Sequence, residues 1–73
     1  MRTYLLNLRE RASLTQKEVS LKLGISESYY NLIERGERKK ALDIDLLKKM
    51  CCIFKVSLDE LSQKELTYIQ SKD

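Results

Sequence analysis

Apolar residues along this chain recur at intervals of three and four, the period of helices packed by one face, and no stretch alternates as a strand would. Tyr4, Leu5, Leu8 and Ala12 mark a first helix over roughly residues 2–12. Thr15-Gln16-Lys17-Glu18 has the form of a capping box, in which Thr15 accepts from the amide three residues on and Glu18 reaches back. A second helix follows, with Val19 and Leu23 inward, and stops at Gly24, a residue that readily takes the left-handed backbone of a helix end. Only Ile25 separates it from Ser26, the expected N-cap of a third helix that runs to Arg35 and stops at Gly36. Asp43 caps a fourth, whose apolar stripe reads Ile44, Leu47, Met50, Cys51 and Phe54. Ser57-Leu58-Asp59-Glu60 is a second capping box and opens a fifth helix with Leu58 and Leu61 inward. Its far boundary is indistinct past Leu66, and the last few residues are expected to fray.

Five helices in 73 residues imply one compact all-α domain spanning 1–73. With 42% hydrophobic residues, no proline and two glycines, nothing in the composition argues for strands or a linker. A chain of this size buries only about 60% of the surface its unfolded form exposes, so its core has to be efficient.

The second and third helices, joined by a tight glycine-containing turn, form a helix-turn-helix. At about 100° per residue, Tyr30 and Ile33 share one side of the third helix, with Ser26 and Tyr29 flanking. That side has to be core, to meet Val19 and Leu23. Glu27, Ser28, Asn31, Leu32 and Arg35 fall on the other side, which carries short polar groups near the helix start and an arginine farther along. A helix presented this way suits a DNA major groove, which is wide enough to admit one.

Charge adds a direction to this picture. The net charge of +3 says little, but residues 1–40 hold nine Lys/Arg against five Asp/Glu, while residues 41–73 hold five against six. The cationic excess lies in the half that contains the helix-turn-helix, as a one-sided anion-binding surface requires. Arg35, Arg38, Lys39 and Lys40 are its densest cluster.

Other chemistries find little support. There is no histidine, no nucleophile–base pair and no glycine-rich phosphate loop, so no catalytic residue, enzyme activity or cofactor is expected. Cys51 and Cys52 are the only cysteines; adjacent thiols make a strained disulfide and a poor metal site, and they read as core-filling residues of a reducing compartment. No apolar run approaches the roughly 20 residues of a membrane span and no signal peptide is visible, so a cytoplasmic location and no membrane partner are expected.

The run from Leu14 to Leu61, with LTQKEVSLKLGIS, IERGERKK and VSLDEL, closely resembles the phage-repressor and Cro-type (Xre-like) helix-turn-helix domains. With the first helix included the resemblance covers about residues 2–62, leaving 63–73 as a C-terminal extension. It implies a five-helix, lambda-repressor-like fold and a set of roles at matching positions. Gln16 matches a glutamine that bonds a DNA phosphate. Arg9 matches an arginine that pairs with the glutamate before the closing glycine, here Glu34, as a structural ion pair. Glu27, Ser28, Asn31 and Leu32 match base-facing positions. Ser26, Tyr29, Arg35, Arg38, Lys39 and Lys40 fall where phosphate contacts are made.

Two of the base-facing residues keep alternatives. Glu27 would accept from a cytosine N4 amino group or simply favour its own helix dipole. Leu32, standing where a long polar residue is more usual, would meet a thymine methyl or remain a plain surface leucine. The chain also departs from the pattern at Leu21, often polar in the family, and in the segment after Gly36, which is about two residues longer and lacks the common proline. Helix two carries no acidic patch of the kind some relatives offer to RNA polymerase, which leans the reading toward a repressor. No further domain is expected after the fifth helix.

The implied function is sequence-specific double-stranded DNA binding by a small transcriptional repressor of phage, mobile-element or small-operon type. One recognition helix reads few base pairs, so a homodimer on a palindromic operator is expected, with Leu66, Tyr68 and Ile69 as candidate dimer contacts. A protein antagonist is a further candidate partner. The alternative is a protein-interaction module of the same fold that uses Leu21, Tyr29 and Leu32.

Overall fold

Local chemistry starts and stops nearly every helix. In the computed structural model, which describes residues 1–71, α1 spans Thr3–Arg11, α2 Gln16–Leu23, α3 Glu27–Arg35, α4 Ile44–Phe54 and α5 Leu58–Ser71. The α2 capping box forms in both directions: Glu18 N donates to Thr15 Oγ1 at 3.1 Å and Thr15 N donates to Glu18 Oε1 at 2.8 Å. Ser26 and Asp43 accept from the amides of Tyr29 and Leu46, opening α3 and α4. Gly24 and Gly36 end α2 and α3 with φ of 76° and 80°, a left-handed backbone that costs other residues roughly 1–2 kcal/mol.

The core lies where the helices' inner stripes meet. Leu5 and Leu8 of α1, Val19 and Leu23 of α2, and Tyr30 and Ile33 of α3 are buried together with Met50 and Leu61 from the C-terminal half. Each such side chain contributes about 1.5–3 kcal/mol relative to exposure. α2 packs on α3 and α4, α4 on α5, and α1 on α3, so α3 is held from behind by α1 and α2. Among the described residues no strand occurs.

Three expectations need correction. Ile44 is 60% exposed, and the inward places at the start of α4 belong to Leu46 and to Leu42 from the preceding loop. Cys52 is exposed while Cys51 is half-buried, because neighbours on a helix point about 100° apart and only one can face in. The fifth helix does not blur at Leu66 but continues to Ser71, with Glu65 and Tyr68 extending the buried stripe begun by Leu61. The expected fraying falls in part on residues 72 and 73, which lie outside the described residues.

A candidate nucleic-acid interface

The inner and outer faces of α3 divide cleanly. Tyr30, Ile33 and Glu34 are buried, whereas Ser28, Asn31, Leu32 and Arg35 line one open depression on the surface. Glu27 is exposed in the first turn, outside that depression. Ser26 spends one lone pair on the Tyr29 amide at 3.1 Å and keeps its hydroxyl proton for another acceptor. The Asn31 Oδ1 is shielded from solvent and finds no hydrogen-bond partner among the described residues.

Glu34 fixes the register of α3. Its Oε2 accepts from Arg9 Nε at 2.8 Å, and its Oε1 accepts from Gln16 Nε2 at 3.0 Å. Arg9 also donates to the Leu14 carbonyl at 3.2 Å. One carboxylate thus joins α1, the start of α2 and α3. The hydrogen bond to Glu34 raises the Arg9 pKa against the opposing effect of burial. Gln16, oriented by one amide hydrogen, retains a second at the α2 N-terminus, where backbone amides already favour an anion. Tyr30 is fully buried beside this group; burial first, then the Glu34 carboxylate, hold its phenol well above the usual tyrosine range.

The basic residues after α3 occupy two settings. Arg35 pairs with Glu37 at 2.7 Å and Lys39 with Asp43 at 3.0 Å, all at the surface, where such pairs are weak and exchangeable. The hydrogen bond to Asp43, the charge of Asp43 and the nearby Tyr29 phenol raise the Lys39 pKa. Arg38 and Lys40 are exposed and form no ion pair among the described residues. Tyr29 is half-buried against the core, on the side that faces Lys39.

Tyr68 is corrected as a dimer contact. It is buried in its own monomer, with the Arg2 guanidinium 4.7 Å from its ring centroid. Leu66 and Ile69 remain on the outer face of α5, partly exposed.

Sequence reasoning missed the most densely bonded group in the molecule. Arg2 is fully buried just before α1. Its Nε and Nη2 donate to the two oxygens of Glu65, at 2.9 and 3.0 Å. Its Nη1 donates to the carbonyls of Ile33 and Arg38 at 2.7 and 3.3 Å, and its Nη2 also donates to that of Lys39 at 2.6 Å. All five guanidinium hydrogens are therefore used. Glu65 completes its own set with the Tyr4 hydroxyl at 2.5 Å and the Leu42 amide at 3.0 Å. Burial alone would raise the Glu65 pKa, but the donors from Arg2, Tyr4 and Leu42 hold it below the ordinary value. A carboxylate continuing the Leu58–Leu61 stripe was the available sequence clue, since a charge on an apolar face needs a partner.

Comparisons with known proteins agree with this arrangement of α2, turn and exposed α3. A helix-turn-helix family model matches residues 5–61, most of the chain. The glutamine–fructose-6-phosphate aminotransferase [isomerizing] of Methanocaldococcus jannaschii is 29% identical over 65 residues. Those residues are 89% of this chain, which spans only 6% of that protein's length. No solved structure matches. The extent of the family match, on helices that bury one face of α3 and leave the other open beside a basic loop, shows that the chain belongs to the Xre/Cro-like helix-turn-helix family of DNA-binding transcription regulators.

Proposed function

We propose that the chain is a sequence-specific repressor that inserts α3 into the major groove of double-stranded DNA and binds a palindromic operator as a homodimer. The observation that carries this reading is the open depression formed by Ser28, Asn31, Leu32 and Arg35 on the one face of α3 the core leaves uncovered. In it, Ser28 and Asn31 supply hydrogen bonds to base edges and Leu32 an apolar contact for a thymine methyl, with Glu27 at the groove-facing start of the helix. Gln16, Ser26, Tyr29, Arg35, Arg38, Lys39 and Lys40 bind phosphates, the lysines and arginines exchanging their surface carboxylates for the backbone. The Cα extents of 30 × 24 × 21 Å support pairing. Two such bodies fit side by side on successive grooves about 34 Å apart. The domain acts in the cytoplasm, without enzyme activity of its own, on phage, mobile-element or small-operon promoters, and a protein antagonist is one route to relief of repression.

Selection of bound duplexes from a random pool tests the reading. A palindromic consensus with half-sites one turn apart is expected, and failure to enrich any sequence overturns it. Sedimentation with the selected operator tests the dimer, which a concentration-independent monomer mass would remove. Leu21, 71% exposed on α2, favours a second reading in which the same fold binds a partner protein. Salt separates the two, because DNA binding weakens steeply between low and moderate salt whereas an apolar protein interface does not.

A further inference from the structure

The segment from Gly36 to Asp43 carries three of the cations assigned to phosphates, yet nothing in its sequence fixes its path. It has no proline, and Lys39 adopts a left-handed backbone (φ 62°) without being glycine. A loop of this kind would sample many conformations unless something held it. The contacts that hold it come from far away in the chain. The carbonyls of Arg38 and Lys39 turn inward onto the buried Arg2 guanidinium, and the Leu42 amide turns inward onto Glu65. With the backbone gripped from inside at Arg38, Lys39 and Leu42, the side chains of Arg38 and Lys40 stay exposed.

We infer that Arg2 and Glu65 are positioning residues for the phosphate-binding loop: they touch no DNA, but fix the backbone from which Arg38, Lys39 and Lys40 reach it. This rests on the DNA-binding reading given above. It adds that the loop's register depends on the docking of α5 and of the residue before α1, neither of which belongs to the helix-turn-helix. The geometry has a reason in donor chemistry. Only a planar fork of five hydrogens can hold one carboxylate in two parallel bonds and still reach three carbonyls, whereas a lysine ammonium has three donors and no fork. Glu65 in turn is what makes a buried guanidinium affordable at this place, since an unpaired one would be strongly destabilising.

Arg2→Lys and Glu65→Gln, with Tyr4→Phe as a control, test the inference in the full chain. Tyr4 bonds Glu65 but not the loop, so its loss weakens the network without releasing the backbone. Amide exchange and chemical shifts of the free protein read the loop, and the salt dependence of binding to the selected operator reads the phosphate contacts. In Arg2→Lys, exchange at residues 38–42 should quicken at least tenfold while the α2–α3 amides keep their protection. The slope of log K against log salt should flatten by about two to three, as the contacts of Arg38, Lys39 and Lys40 lose their register. Base preference should stay that of the parent, and Tyr4→Phe should change neither loop nor slope. If Glu65→Gln fails to fold, Arg2→Lys, which keeps a cation beside the carboxylate, decides alone. An undisturbed loop in folded Arg2→Lys overturns the inference, as does a freed loop with an unchanged slope. Equal flattening in Tyr4→Phe would also overturn it, by showing a general loss of stability. Absence of duplex binding by the parent chain would instead overturn the DNA-binding reading, which the exchange measurement does not depend on.

Discussion

Glu27 and Glu65 are both carboxylates on helices of a basic chain, and their surroundings give them opposite duties. Glu27 stands exposed in the first turn of α3, where it is repelled by phosphates but able to accept from a cytosine amino group. On the proposed DNA-binding reading such a residue penalises wrong registers. Glu27→Gln should therefore relax the preference for cytosine at one operator position by roughly tenfold or more, measured by competition between duplexes differing there. A uniform loss on all sequences would leave only the helix-dipole role. Glu65 is 4% exposed and accepts four hydrogen bonds, so its charged form is favoured in the fold despite burial. A carboxylate depressed in the folded state contributes stability above the unfolded pKa, about 4.3 for glutamate, and loses it as pH falls through the lower folded value. Its side-chain carboxyl carbon should titrate below the peptide value by NMR, and the urea midpoint should decline progressively below about pH 4–5. A Glu65 midpoint at or above the peptide value would contradict the assignment. Glu27 was readable from sequence because helical phase alone exposes it. Glu65 was not, because its partner Arg2 lies 63 residues away and no local spacing joins them.

At the scale of elements, caps and glycines made the helix-turn-helix legible. Thr15, Ser26 and Asp43 open their helices with side-chain oxygens, and Gly24 and Gly36 close theirs. What periodicity could not show is which apolar residues at a helix start find a partner. Ile44 has the phase of Leu47 yet is exposed, because Leu42 and Leu46 fill the space first. The two glycines have similar backbones but different neighbourhoods, and this makes them comparable probes. A methyl at Gly24 would meet open space, whereas one at Gly36 would run into the Tyr68 hydroxyl. Tyr68 lies beneath Arg2 and has little freedom to retreat. Gly24→Ala should cost roughly 1–2 kcal/mol, the strain of a left-handed non-glycine residue. Gly36→Ala should cost about 1–3 kcal/mol more, from overpacking, and that excess should shrink in a Tyr68→Phe background. Chemical denaturation of the four variants checks this; equal costs at the two glycines would mean that α5 does not press on the end of α3.

For the whole molecule, the boundary of the family match and the boundary of the folded unit do not coincide. The match ends at residue 61, and the resemblance visible in the sequence ends at about residue 62, so the remainder looks dispensable. The structure gives that remainder Glu65 and Tyr68, which neutralise and cover a fully buried arginine at the opposite end of the chain. Ending the chain after Ser62 would leave Arg2 with three carbonyls and no anion. Removing one partner of a buried ion pair costs about 3–5 kcal/mol, and deleting a buried aromatic about as much again, though the two losses overlap. Small domains hold only about 5–15 kcal/mol in total. A chain of residues 1–62 should therefore melt at least roughly 15 °C below the 73-residue chain, or show no cooperative transition at 25 °C, when followed by circular dichroism. Adding Arg2→Met to the truncation should restore part of the loss, because an apolar side chain no longer needs a counter-charge. A truncated chain melting within a few degrees of the parent would mean that solvent replaces Glu65 at little cost, and that the helix-turn-helix family's usual limits suffice for this protein as well.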